Sequence, residues 1–194
     1  MSASSVVLPP LHFERSPNQS PRNHWTPSKV TGICVHRWAN KPQTTKPGAI
    51  ATYHGVVDFL CRPSTQAAAH IVYGGSLVGE ATQLVPWSAG AWACEDFNGC
   101  TDNIEFADAI WTGQDAKGWK VAARIVAFRC HARKIPAVWT KDPAKHPGIV
   151  RHYDLGTAGG GHSDPTTDDA LWEKFVACVA AELKRGGFRT SWGQ

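Results

Sequence analysis

The chain has 194 residues, 42% of them hydrophobic and 19% charged, with a net charge of +4. That is enough chain for one well-buried domain and the composition of an ordinary globular protein. The mild basic excess suits an anionic partner such as cell-wall polymer, membrane surface or nucleic acid, but no run of Lys and Arg favours nucleic acid. No apolar stretch approaches the ~20 residues that a membrane span needs.

Residues 1–28 carry Pro9, Pro10, Pro17, Pro21 and Pro27 among Ser and Asn. They read as an extended arm, wrapped on the domain or left as a linker, ahead of a domain over 29–194. The first ten residues lack the basic start and the long apolar stretch of a signal peptide, so synthesis in the cytoplasm is expected. Val30–Trp38, rich in β-branched residues, predicts a buried central strand. Ile50, Tyr53, Val57 and Leu60 recur at helical spacing, so a helix is expected from Pro47 to Arg62, stopped by Pro63.

Ala67–Tyr73 and Leu77–Val85 read as strands of a hairpin joined at Gly74-Gly75. Asp102–Ala107 is a further short strand. Lys117–Lys134 places Val121, Ala122, Ile125, Val126 and Phe128 on one helical face and basic residues at its C-terminal end. Gly148-Ile149-Val150 is a strand-like or coil run. The last helix spans Asp168–Arg185, with Asp168 as its cap, Trp172, Phe175, Val176, Val179 and Leu183 as its apolar stripe, and Gly186-Gly187 as its stop. Order and lengths predict one α/β domain, a central mixed sheet flanked by helices.

Six Cys occur without a CxxC pair. Cys34, Cys130 and Cys178 lie in apolar segments as buried thiols, while Cys94 and Cys100 flank a short loop and are candidates to pair. Nine Trp is high for this length. Surplus indoles serve cores more often than they line carbohydrate or peptide grooves.

Chemistry concentrates after Val150. His152, Asp154, His162 and Asp164 share one glycine-rich loop, and His36 ends the first strand. A strand-end His with a His and an Asp from one loop can make a three-ligand zinc site whose fourth position is left for water. His54 and His131 fall on helices as surface or packing residues. Asp154 is expected to anchor its loop through backbone N–H groups, or to support a ligand His.

His36, then Ala69-His70-Ile71-Val72-Tyr73-Gly74-Gly75, Gln83-Leu84-Val85-Pro86, Ala91-Trp92, Asn103-Ile104-Glu105, His152-x-Asp154 and His162-Ser163-Asp164-Pro165 occur in that order. The series resembles the zinc-dependent N-acetylmuramoyl-L-alanine amidases of the amidase-2 type, which include phage endolysins and peptidoglycan recognition proteins. The likeness spans roughly residues 28–185. It implies an α/β fold of that kind, Zn2+ on His36, His152 and Asp164, and Glu105 as general base. It implies His162 as oxyanion donor where relatives often carry Lys, and a substrate side that includes His70 and Trp92. Ala69 and Ala93 depart from the Tyr and His that relatives often carry.

The implied activity is hydrolysis of the amide between N-acetylmuramic acid and L-alanine in peptidoglycan. A monomeric phage endolysin domain, made in the cytoplasm and acting on the wall after release, is the expected setting. A cytosolic amidase recycling wall fragments is the alternative. A non-catalytic peptidoglycan-binding module of the same fold would lack a ligand or the base. A stem-peptide zinc peptidase would carry His-Glu-x-x-His, which is absent.

Overall fold

A computed structural model describes residues 7–26, 28–38, 43–188 and Trp192. Its strands are β1 (Leu11–Phe13), β2 (Gln19–Pro21), β3 (Gly32–Arg37), β4 (Ile71–Tyr73), β5 (Ala81–Gln83), β6 (Ala89–Ala91), β7 (Thr101–Phe106) and β8 (Gly148–Arg151). Its helices are α1 (Lys46–Leu60), α2 (Asp108–Trp111), α3 (Ala116–Arg133) and α4 (Asp169–Arg185). The main sheet runs β1-β5-β4-β7-β3-β8, antiparallel only between β4 and β5, and β2 pairs with β6 in a small second sheet.

The sheet is covered on both faces, as a mostly parallel sheet requires. Ile33 and Val35 of β3, Ile104 and Phe106 of β7 and Ile149 of β8 pack against α3 and α4 through Ile125, Val126, Trp172 and Phe175. On the other face, Tyr53, Val57 and Leu60 of α1 meet Val72, Leu84 and Val85. The helices start where their caps stop the backbone donors going unpaired. Thr45 accepts from Gly48 N–H, Asp115 from Gly118 N–H and Asp168 from Leu171 N–H.

The expected hairpin forms, with β4 and β5 antiparallel, but its strands have three residues each and its loop runs over residues 74–80. Asp115, besides capping α3, accepts from the backbone and hydroxyl of Ser76 and so draws that loop onto the helix. Cys94 and Cys100 are free thiols. Among the described residues, no helix is long and apolar enough to cross a membrane.

The proline-rich segment is built into the domain rather than trailing from it. β1 forms an edge of the main sheet and β2 pairs with β6. Ser16 donates to Leu60 O, and the Asn18 amide donates to Arg62 O and Ala67 O. Arg22 reaches further in, donating to Gly99 O and Thr101 O and pairing with Asp102. Asp102 is fully buried and also binds Arg129 at 2.7 Å and Arg133 at 2.8 Å. These cations hold its carboxyl well below the usual range despite the cost of burial, with His70 and Arg129 giving the largest lowering effects.

Three guanidinium groups therefore share one carboxylate. Asp102→Ala is expected to leave them buried, adjacent and uncompensated, at a cost of about 3–5 kcal/mol. Urea unfolding would read this directly. A midpoint and slope matching wild type would show that the cluster is not a stabilising element.

Candidate active site

The parallel strands β3, β7 and β8 all end at one edge of the sheet, where α/β sheets commonly bind ligands. Register then does the gathering. His36 pairs with Glu105 and Cys34 with Asn103 across β3 and β7, so these four side chains face the same way, opposite the α3–α4 core. Val35 pairs with Arg151 at the end of β8, and the next residue, His152, turns into the same space.

His36, His152 and Asp164 converge there, with candidate ligand atoms all within 4.8 Å of one another. The two Nδ1 atoms are 3.0 Å apart, and Asp164 Oδ1 is 3.2 Å from His152 Nδ1. Each far nitrogen faces a fixed acceptor. His36 Nε2 is 3.0 Å from Asn103 Oδ1, and His152 Nε2 is 2.7 Å from Gly159 O. A neutral ring held this way keeps its proton on Nε2 and leaves the Nδ1 lone pair inward, as metal-ligating His residues do.

The glycine turn makes the second acceptor possible. Gly160 and Gly161 sit at φ 98° and 74°, and a Cβ on Gly159 would lie 2.4 Å from the Leu155 Cβ. Asp164 is fixed by a hydrogen bond from Arg37 N–H at 3.1 Å.

Electrostatics fit a cation. Burial, then the charge of His152, pushes the His36 pKa down to about 3, so its ring is neutral. Burial disfavours charge on His152 too, but the hydrogen bond and charge of Asp164 outweigh it and raise its pKa. Asp164 is held down to about 2 against burial by the same hydrogen bond and by His36. A neutral imidazole, a second imidazole and an ionised carboxylate form a donor set of the catalytic zinc type. Among the described residues this is the one such cluster of His, Cys, Asp and Glu.

Glu105 lies beside it on the cleft floor. Its Oε2 is buried without a hydrogen-bond partner among the described residues. Burial, then repulsion by Asp164, pushes the carboxyl up to about 8. An unpaired carboxylate is costly to bury, and such perturbed groups concentrate at functional sites. His162 is 57% exposed and stacks on His152 with centroids 4.2 Å apart. Trp92 lines the same cleft, with its indole N–H on Ser20 Oγ at 3.0 Å.

His70 is a correction. It is fully buried, stacked on Trp87, with Nδ1 accepting from Asn103 N–H at 2.9 Å. A ring enclosed in this way cannot touch substrate. Asp154 also differs from expectation. It accepts from Trp139 Nε1 and Arg151, anchoring its loop through side chains, and supports neither ligand His. The sequence reading did not find the far wall of the cleft. Ser20, His24 and Trp25 come from the N-terminal segment and, with Val56 and Phe59 of α1, line a cleft of about 1260 Å³.

Two imidazoles and a carboxylate gathered at the C-terminal edge of an α/β sheet are a donor set that could hold a metal, with a carboxyl group beside it. Residues 26–167 match the amidase-2 family, N-acetylmuramoyl-L-alanine amidase, and the chain belongs to that family. It is similar to the Staphylococcus aureus hydrolase AmiA solved with its ligand, at 16% identity and TM-score 0.67, over 91% of this chain and 84% of that one. A mutant endolysin from Bacillus subtilis aligns at 18% identity and TM-score 0.61, over 89% and 99%. The catalytic domain of XlyA aligns at 18% and 0.60, over 87% and 98%. A search of curated proteins finds no significant match.

Proposed function

We propose that this amidase is a zinc enzyme that cuts polymeric peptidoglycan between the lactyl group of N-acetylmuramic acid and L-alanine, as the lytic domain of a phage endolysin. The observation that carries the reading is the site itself: two inward-facing Nδ1 atoms and Asp164, with the unpaired Glu105 carboxyl paired in register to His36. A non-catalytic module has no use for an unpaired buried carboxyl beside such a cluster. A cleft of about 1260 Å³ lined by residues of the N-terminal segment and α1 suits a polymer better than a small wall fragment.

Zinc on His36, His152 and Asp164 would polarise the scissile carbonyl and lower the pKa of water to about 7. The residues around it do the rest. Glu105 takes a proton from the attacking water at Oε2 and later returns it to the departing amine. His162, on the solvent side of His152, donates an N–H to the oxyanion. Trp92 and Trp25 offer stacking faces to sugar and peptide.

Mass spectrometry of digested muropeptides tests the bond. Intact glycan bearing free lactyl carboxylates supports the proposal, and a cut between two amino acids refutes it. His162 carries its own prediction. His162→Ala should retain zinc and KM while kcat falls about 10²–10³-fold, as for other oxyanion donors. Zinc lost along with kcat would make His162 a ligand instead of a donor.

A further inference from the structure

We infer that Asn103 is a positioning residue for the metal site: its side-chain oxygen fixes the tautomer and aim of His36. The inference rests on the reading of His36 as a zinc ligand. His36 is the penultimate residue of β3, and Asn103 on β7, the register partner of Cys34, lies two residues before Glu105 on the same face. Asn103 Oδ1 accepts from His36 Nε2 at 3.0 Å and from the buried Cys94 thiol at 3.2 Å. The Cys94 thiol and, at 3.4 Å, the Thr101 hydroxyl point at the same oxygen and orient the amide independently of His36. The reverse orientation would turn the NH2 group toward His36 Nε2, make that nitrogen an acceptor and leave the ring proton on Nδ1, where a metal must bind.

The Asn103 backbone is held from behind. Asn103 N–H donates to His70 Nδ1 at 2.9 Å, and Asn103 O accepts from His70 N–H at 2.8 Å. That double contact gives the enclosed His70 a role in placing Asn103. The Asn103 Nδ2 atom is buried with no partner. An unpartnered buried amide nitrogen costs on the order of 1–3 kcal/mol. A residue kept for packing alone would avoid that cost with an apolar side chain, so the oxygen is what the site requires. Support of this kind to a ligand His typically changes metal affinity by roughly 10–100-fold.

The test uses the full chain. In metal-free wild type, 15N NMR of the His36 ring should show the proton on Nε2. A proton on Nδ1 would overturn the inference whether or not zinc binds. Asn103→Leu keeps the branched shape and removes the acceptor. It should weaken zinc binding, measured by competition with a chelator, roughly 10–100-fold. Asn103→Asp restores an acceptor and should recover most of that loss, which a merely structural residue would not do. Zinc affinity within twofold of wild type in a folded Asn103→Leu variant would also overturn it. Were that variant to fail to fold, the wild-type ring measurement decides alone. A wild-type chain that binds no zinc would instead refute the metal reading, which keeps the two failures distinct.

Discussion

His152→Ala is expected to lose zinc and essentially all activity, more than about 10⁴-fold, from a chain that still folds. The scale follows from what the metal supplies, since enzymes of this kind accelerate reactions by at least ~10⁶-fold. His152 also organises its neighbours. Its Nδ1 meets both His36 and Asp164, its Nε2 holds Gly159 O, and its ring carries His162. Removing it would scatter the proposed ligand set and the proposed oxyanion donor together. Chelation should report the same site without mutation. Zinc present at ~1000 times its Kd adds about 4 kcal/mol to stability. In a domain of this size that is roughly 8–16 °C of Tm lost when the metal is stripped. Binding should strengthen as pH rises, because zinc must displace the proton that Asp164 favours on His152 Nδ1. Calorimetry with and without a chelator, showing identical Tm values, would argue against a resident metal.

The parts of the fold legible in the sequence are those specified locally. α3 and α4 carry long periodic stripes and their own caps, and both lie within a residue or two of expectation. β3 is a run of β-branched and small apolar residues buried on both faces. Site residues were legible through their order along the chain rather than through proximity. The rest depends on contacts between distant segments. β1 and β2 have three residues each and acquire strand character only by pairing with β5 and β6. Ser20, His24 and Trp25 become cleft wall for the same reason. His70 stands in a motif that suggests the site, yet Arg22, Trp87 and Ala89 close over it. A residue enclosed by segments 17–48 positions away in sequence leaves no periodic trace. Asn103 stands in the ordered series without a role of its own, since the role inferred for it depends on which atom of a neighbouring strand it faces.

Glu105→Gln is expected to separate stability from catalysis. The substitution keeps the shape of the side chain and removes only its capacity to take a proton, so zinc and fold should persist while kcat falls by about 10²–10⁴-fold. The stability effect should run the other way. Burial, then Asp164, raises the Glu105 carboxyl to about 8 in the metal-free chain, while His152 offsets part of this. A carboxyl whose folded pKa exceeds its unfolded value binds more protons when folded, so stability falls as pH rises from about 4.5 to 8. Each unit of that difference is worth about 1.4 kcal/mol, and Gln, which never ionises, escapes the penalty. Metal-free Glu105→Gln should therefore melt above metal-free wild type at pH 8, with the two converging near pH 4. Such a gain is what an unpaired carboxyl kept for chemistry predicts, because its position beside Asp164 is costly to the fold and useful to the reaction. A zinc-loaded Glu105→Gln variant with near wild-type turnover would show that the proton moves through another group. A metal-free variant less stable than wild type at pH 8 would show that the carboxyl is paired in solution.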